Sequence, residues 1–493
     1  MSIVTLLSIV FPIIAGLLEM VWLPQDKKVM ESYVMASVLI TSVFVLGTCG
    51  NAVIGGPDYV AHTIVKLNDT LSLAFRPDGP SLVFGCIIGV LWPITTLYAF
   101  SYMDHEKSLN RFYGFYLVTY GVVAGIAFSA NFFTLYLCYE LMTLATLPLV
   151  MHEMNGRARS AGKTYIIYSM SGAALIFFAL MFMIRYGSSL DFVLGGTLDM
   201  TRAAGQEDLL RLVFVLGFVG FGVKAAIFPL HDWLPAASVA PTPVTALLHA
   251  VAVVKAGAFG VLRLTYYGFG TELMRGTWAQ ATVVCLAAVT ILFGSSMALR
   301  AGHLKRRLAY STVANLSYIL LAFGVMTPES MTGGLLHMIF HAVTKITLFF
   351  CAGAVLHHSH LEYLDDMEGL SRKMPVTCGV FTFMSLSLIG IPPLGGFISK
   401  WTIGTAAASL GSWVGYVGAA GLISSAILTM LYMITVVVRF YFPLKEAKPL
   451  PERVREADWR MTVPLVLLCV LCLGLSLISA QLISLLTAVS GGM

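Results

Sequence analysis

Apolar residues run along this chain in blocks of roughly 20, separated by short polar stretches. That is the length a helix needs to cross the hydrocarbon core of a bilayer. Fourteen blocks read as helices: 2–24, 33–54, 82–102, 112–129, 131–150, 162–186, 208–230, 240–264, 278–300, 310–325, 331–356, 376–408, 411–440 and 461–488. Two of them carry proline where a helix should continue. The block 376–408 contains Pro392-Pro393, and 208–230 ends at Pro229, with Pro235, Pro241 and Pro243 close behind. Proline removes a backbone donor and frees a carbonyl, so both blocks are predicted to break. The stretch 55–81 is polar and alternating, as in Val65-Lys66-Leu67-Asn68, and reads as an exposed hairpin or a surface helix. The predicted fold class is therefore an all-α polytopic membrane protein with about 14 transmembrane helices. The N-terminus enters an apolar block without a basic n-region or a clear cleavage site, so no cleaved leader is expected.

Charge gives these helices a direction. Segments after odd-numbered blocks hold 19 of the 30 Lys and Arg: Lys27, Lys28, Lys107, Arg111, Arg157, Arg159, Lys163, Arg300, Lys305, Arg306, Arg307, Arg372, Lys373, Arg439, Lys445, Lys448, Arg453, Arg455 and Arg460. The opposite segments hold 7, namely Lys66, Arg76, Arg185, Arg202, Arg211, Arg263 and Arg275. Basic residues stay on the cytoplasmic side, which puts both termini on the non-cytoplasmic side and favours an even number of spans.

Composition agrees: 58% of the 493 residues are hydrophobic and 11% are charged. Mean hydropathy is +0.85. Soluble domains carry about 25% charged residues. The net charge of +5 is small and scattered, which argues against a nucleic-acid partner. Most of the eight cysteines lie in apolar blocks. The close pair Cys469 and Cys472 reads as two small core residues on a helix. No cysteine set has zinc or iron–sulfur spacing. No P-loop, and no GxGxxG after a strand pattern, is present. No cofactor, metal or catalytic redox site is expected in this chain.

The remaining four lysines, Lys224, Lys255, Lys345 and Lys400, fall inside apolar blocks, as does Glu140. A central lysine costs about 2.5–3.5 kcal/mol on insertion scales, so the set costs on the order of 10 kcal/mol or more. Such groups mark ion or proton paths by default. The alternative for Glu140 is a structural carboxyl pairing with a neighbouring helix, and for Lys224 a side chain that snorkels. Glu19, near the end of the first block, can reach the interface and reads as structural. Lys224 precedes Pro229 and Lys400 follows Pro392-Pro393, so both are expected beside freed carbonyls. Two broken helices in corresponding halves are a mark of repeat-built transporters. His249 and Lys255 are six apart and lie on different helix faces. His337, His341 and Lys345 are at i, i+4 and i+8 and form one stripe. Histidine titrates near neutral pH and can pass protons on. His357, His358 and His360, beside Glu362, Asp365 and Asp366, read as a solvated loop rather than a metal site.

These residues resemble the antiporter-like subunits of respiratory complex I, of multi-subunit cation/proton antiporters, and of membrane-bound hydrogenases and formate hydrogenlyase. The matching stretches are Tyr139-Glu140-Leu141-Met142, Phe228 through Pro235, Ala240-Pro241-Thr242-Pro243-Val244 through His249, Val254-Lys255-Ala256-Gly257, Lys305 through Ser311, His337 through Lys345, and Gly390 through Trp401. The resemblance implies two inverted five-helix repeats with breaks in helices 7 and 12. Their expected bounds are 112–264 and 278–440, flanked by a three-helix segment 1–111 and a C-terminal segment 441–493. It also implies roles: Glu140 partners Lys224; Lys255 and His249 form the central relay; His337, His341 and Lys345 bridge the halves; and Lys400 is the exit. There are departures. His303 stands where the family usually has an acid, which puts a structural ion pair there in doubt. The loop 235–240 lacks the Asp and His often found there. The chain ends soon after the fourteenth block, with no long lateral helix, which favours a hydrogenase-type or antiporter-type complex, or a middle subunit.

The function so implied is proton translocation, with Na⁺ as an alternative, by a membrane subunit of a redox-driven complex I-like assembly. The hydrogenase or formate hydrogenlyase type is preferred. The rivals are a subunit of a multi-subunit Na⁺/H⁺ antiporter, and a non-pumping scaffold or inorganic-carbon uptake partner. Expected partners are membrane lipid, integral subunits that include antiporter-like sisters, and peripheral redox subunits carrying iron–sulfur clusters and NiFe or flavin. The expected location is a bacterial or archaeal cell membrane.

Overall fold

The structure is a computed structural model that describes residues 2–21, 26–55, 62–68, 70–444, 449–452 and 454–491. Residues 22–24 of the first block, 56–61 of the polar stretch, Lys445, Lys448 and Arg453, and the terminal residues 1 and 492–493 lie outside the described residues.

The chain opens with α1 (Ser2–Val21) and α2 (Lys27–Gly55), joined by a hairpin of β1 (His62–Lys66) and β2 (Ser72–Phe75) to α3 (Gly79–Tyr102). The polar alternating stretch is thus a hairpin. Then come α4 (Leu109–Ala127), α5 (Phe132–Val150), α6 (Gly156–Tyr186), the short α7 (Met200–Ala203), α8 (Glu207–Lys224) and the short α9 (Trp233–Ala237). Next are α10 (Thr242–Ala250) and α11 (Val253–Leu262), which runs into a π-helical turn, Arg263–Phe269. The second half holds α12 (Trp278–Arg300), α13 (Leu304–Val325), α14 (Pro328–Ser359), α15 (Pro375–Ile389), α16 (Gly395–Ala408), α17 (Trp413–Tyr441), α18 (Trp459–Leu477) and α19 (Ser479–Ser490). Among the described residues, 11 helices are long and apolar enough to cross a membrane. The protein is a polytopic all-α membrane protein.

Helix starts follow side-chain caps. Asn131 accepts from the Thr134 amide at 2.8 Å to start α5, and Asn155 from that of Ala158 at 2.7 Å to start α6. Each satisfies an orphan donor of the first turn. Helices α10, α11, α13 and α14 are buried along nearly their whole length and form the centre. The peripheral helices bury one side and present residues such as Leu144, Ile167, Ile423 and Val470 outward.

Four of the predicted blocks are interrupted. Helix α15 ends at Gly390, whose φ of 93° is open to glycine but strained for other residues. Pro392-Pro393 follows, and α16 starts again at Gly395, whose amide donates to Ser476 Oγ at 2.9 Å. Helix α8 ends at Lys224 ahead of Pro229. The break between α10 and α11 has no proline or glycine to announce it. The amides of Val251 and Ala252 both turn back to the Leu247 carbonyl, at 3.0 and 2.8 Å. The Ala252 bond spans five residues, a π-type bulge that ends the α ladder. The last block divides at Ile478 into α18 and α19.

Side-chain contacts gather the basic loops on one face. Lys27 pairs with Asp104, Arg111 donates to the His152 carbonyl at 2.6 Å, and Arg460 pairs with Glu31 at 3.0 Å. Arg263, counted above with the loops of the opposite face, is instead fully buried. Both of its terminal nitrogens contact Asp78 at 2.5 Å, and its guanidinium carbon lies 4.2–4.8 Å from the ring centroids of Phe192, Phe259 and Tyr267. Burial alone would raise the Asp78 carboxyl. The charge and hydrogen bonds of Arg263, with bonds from Ser81, hold it below the usual carboxylate range.

Candidate functional site

The breaks put titratable side chains at the buried centre. Helix α11 restarts at Val253, so Lys255 is in its first turn and its amine faces α14. The Lys255 Nζ to His341 Nδ1 distance is 2.9 Å. One helical turn away, the His337 ring stands 5.9 Å from that of His341, and His337 Nδ1 is 2.9 Å from Ser399 Oγ on α16. The next residue is Lys400. It donates to the Leu388 and Ile389 carbonyls at 2.6 and 3.1 Å, which are the carbonyls freed where α15 stops. Its amine also faces the Tyr318 ring at 5.2 Å. Tyr318 continues the hydroxyl path, with its OH 2.5 Å from Ser425 Oγ, itself 2.5 Å from Ser295 Oγ.

A branch runs the other way along α14. Lys345 donates to the Leu308 carbonyl at 3.0 Å and to the Ser311 hydroxyl. His249, at the end of α10, packs on Phe349 with centroids 4.7 Å apart, and its Nε2 is 3.4 Å from Ser238 Oγ. The predicted stripe His337, His341, Lys345 is buried on α14 as spaced. His341 lies within electrostatic reach of Lys255, His337, Lys345 and His249. His337 is likewise within reach of Lys400. The structure therefore brings six of the predicted residues into one file. Nδ1 of His249 and Nε2 of His337 and His341 are buried without a protein partner.

Lys224 and Glu140 stand apart from this file. Lys224 Nζ donates to the Tyr139 carbonyl at 2.6 Å and lies 3.5 Å from the centroid of the Tyr139 ring. The Glu140 carboxylate is within electrostatic reach of Lys224, but no direct ion pair joins them. Glu140 is only half-buried, among the exposed Leu137, Leu141 and Leu144, and its Oε1 has no partner. The freed-carbonyl expectation fits Lys400 but not Lys224. The Val223 carbonyl at the end of α8 is taken by the Trp233 indole at 2.7 Å.

The file opens toward the basic face. A cavity of about 780 Å³ there is bounded by Ser238, Lys305, Tyr310, His303 and Glu362 among others. Ser238 thus joins the cavity to His249. His303 Nε2 is 3.4 Å from Glu362, so a pair does form at that loop with the acid on the other side. Burial holds His303 below its ordinary value, opposed by Glu362. Glu19 does not reach the interface. It is buried, with Oε1 unpartnered. Among the described residues, no three His, Cys, Asp or Glu side chains converge as metal ligands.

Sequence reading missed the hydroxyls that join the file: Ser238, Ser311, Tyr318 and Ser399. Ser399 and Ser311 lie inside motifs already singled out, but a serine in an apolar helix carries little signal of its own. The Asp78–Arg263 clamp was missed because its members are 185 residues apart.

A buried file of lysine and histidine beside broken helices thus lies at the centre of a polytopic membrane protein. The chain belongs to the NADH:quinone oxidoreductase/Mrp antiporter transmembrane family, whose model matches residues 129–428. It is 31% identical over 475 residues to NADH-quinone oxidoreductase subunit N of Desulforudis audaxviator, covering 92% of this chain and 93% of that protein. It is 33% identical over 347 residues to hydrogenase-4 component B of Escherichia coli, covering 67% of this chain but 50% of that protein. A probable K⁺/H⁺ antiporter protein of Rhizobium meliloti is 29% identical over 482 residues, and the chain spans 46% of its length. The fold matches chains of the archaeal membrane-bound sulfane sulfur reductase (TM-score 0.85, 21% identity, 99% of this chain and 97% of that one) and of the Mrp complex from Dietzia sp. DQ12-45-1b (0.85, 20%, 99% and 97%). The chain is an antiporter-like member of this family, whose relatives are subunits of larger membrane complexes.

Proposed function

We propose that the chain translocates protons as one membrane subunit of a redox-driven complex. The observation that carries this reading is the file Lys255, His341, His337, Ser399 and Lys400. Lys255–His341 and His337–Ser399 each stand at 2.9 Å, Ser399 and Lys400 are chain neighbours, and the His341 and His337 rings are 5.9 Å apart, one helical turn along α14. In the Lys255–His341 pair one proton has two places to go, because an amine donating to Nδ1 needs that nitrogen bare, and a neutral amine can accept from it. The unpartnered ring nitrogens are buried polar atoms that water can satisfy. Protons would be taken up from the cavity at Ser238, pass His249 and Lys345 to the centre, and leave past Lys400. The side rich in Lys and Arg would be cytoplasmic, with both termini opposite, in a bacterial or archaeal cell membrane. Electron transfer would lie in peripheral subunits carrying iron–sulfur clusters with NiFe or flavin. The match to hydrogenase-4 component B supports the hydrogenase type, and the near full-length match to subunit N supports a quinone-reducing one.

The second reading is a gradient-driven cation/proton antiporter component, favoured by the fold match to the Mrp complex. The relay is tested by His341→Ala and Lys345→Ala in the assembled complex, with turnover and proton uptake followed together in membrane vesicles. Unchanged turnover with lost uptake supports the relay. Equal stoichiometry in variant and wild type refutes it. Redox subunits that co-purify with the chain select the first reading, and a set of small membrane subunits without them selects the second.

A further inference from the structure

The vestibule at Ser238 adjoins a second cavity, of about 800 Å³, that the proton file does not use. The two share Tyr102, Glu106 and Leu356 in their walls. The second is lined by four histidines from two separate segments: His105 from the α3–α4 loop, and His357, His358 and His360 from the end of α14. They are not a scattered loop. The rings of His105 and His357 stack at 5.9 Å with 7° between planes, and those of His357 and His358 meet at 4.9 Å. His105 and His360 are exposed, and the other two are half-buried. His357 Nδ1 and His358 Nε2 have no protein partner. Among the described residues, the charged groups around the cluster include Glu106 from the α3–α4 loop and Glu452, Arg455, Glu456 and Asp458 from the segment leading into α18.

We propose that this histidine cluster is a proton-collecting antenna that feeds the vestibule, a role that rests on the vestibule being the site of uptake. An imidazole can take a proton at one ring nitrogen while releasing one from the other, and adjacent rings with carboxylates in the same cavity wall allow short transfers along a surface. The need follows from rate. The association limit for two proteins, roughly 10⁹–10¹⁰ M⁻¹s⁻¹, is a floor for the faster proton, and at a proton concentration of about 10⁻⁷ M it gives at least on the order of 10²–10³ arrivals of free protons per second. That overlaps typical turnover numbers of about 1–10³ s⁻¹. A titratable rim that captures protons from buffer and from the surface adds to this supply.

The test is the triple variant His105→Asn, His357→Asn, His358→Asn in the assembled complex, with proton uptake by membrane vesicles measured at mildly alkaline pH. In weak buffer the variant is expected to be severalfold slower than wild type. In concentrated imidazole, a mobile carrier that delivers protons directly to the vestibule, it is expected to match wild type. Equal rates at every buffer strength overturn the antenna, as does a loss that imidazole does not relieve. If the triple variant fails to assemble, the exposed pair His105→Asn, His360→Asn is judged by the same criteria. His249→Asn serves as the reference. If it stops uptake while the cluster variant keeps wild-type rates in weak buffer, the vestibule stands and the antenna falls. If it pumps normally, the vestibule reading fails and takes the antenna with it.

Discussion

Replacing Lys255 by methionine separates a functional lysine from a structural one, because the two readings predict opposite signs for stability. Lys255 is completely buried at the start of α11. Methionine has similar length and flexibility and fits irregular core space. Removing a charge from the centre of a span recovers about 2.5–3.5 kcal/mol on insertion scales. Against this, His341 Nδ1 loses its 2.9 Å partner, and a buried acceptor left unsatisfied costs about 1–3 kcal/mol. The balance runs from about −0.5 to about +2.5 kcal/mol, so Lys255→Met should be within about 0.5 kcal/mol of wild type or more stable by up to about 2.5 kcal/mol. Pumping should nevertheless be abolished, because the proton has lost its place opposite His341. The assay pairs thermal unfolding of the purified complex with proton uptake by vesicles. A destabilised variant, or one that fails to assemble, would show that Lys255 serves packing. A stable variant that pumps at the normal rate would remove it from the path.

Four further outcomes follow from the structure. Arg263→Ala strips Asp78, whose side chain is 21% exposed, of its bidentate partner; breaking a fully buried pair from one side costs about 3–5 kcal/mol, so the loss here should lie at or below the low end of that range, and a thermal-unfolding midpoint close to wild type would contradict the clamp. Because the Asp78 carboxyl is held below its usual range, the stabilisation from this pair is present above the unfolded pKa and is lost only as pH falls through the folded one, so unfolding curves across the neutral range should show no pH dependence from it. Gly396→Ala would place a Cβ 1.8 Å from the Ser387 carbonyl oxygen, and backbone cannot yield there, so the α15–α16 break should spread and the yield of assembled complex should collapse. Glu140→Gln leaves Lys224 bound to the Tyr139 carbonyl but without the Glu140 charge, so the complex should assemble and transport poorly; normal transport would make Glu140 structural.

What was legible in the sequence was what is costly in a membrane. A lysine in an apolar block and a proline in a helix each demand a physical excuse, and together they located Lys224, Lys255, Lys345, Lys400 and two of the four interruptions. The spacing of His337, His341 and Lys345 was enough to place them on one stripe. The break at Val251–Ala252 was illegible because alanine and valine tolerate a helix; it arises from how the amides of residues 251 and 252 share one carbonyl. Arg263 was counted as a loop charge because its distance from a span border gave no hint of Asp78. Glu19 was placed at the interface by its position near a helix end, whereas packing of α1 covers it. The separation of Lys224 from Glu140 by the Tyr139 carbonyl is a matter of rotamer and helix rotation, which spacing cannot supply.

The most direct test of proton passage along the file is the stoichiometry of the Lys400→Ala variant. Lys400 closes the file, holding the freed carbonyls of Leu388 and Ile389 at 2.6 and 3.1 Å. Alanine there keeps the helix and removes the amine at that end of the file. Protons moved per turnover should be measured in proteoliposomes carrying the wild-type and variant complexes, with assembly checked in parallel. The expected result is an assembled complex that still turns over and moves fewer protons per cycle than wild type. An assembled Lys400→Ala complex with the wild-type stoichiometry would contradict passage through Lys400.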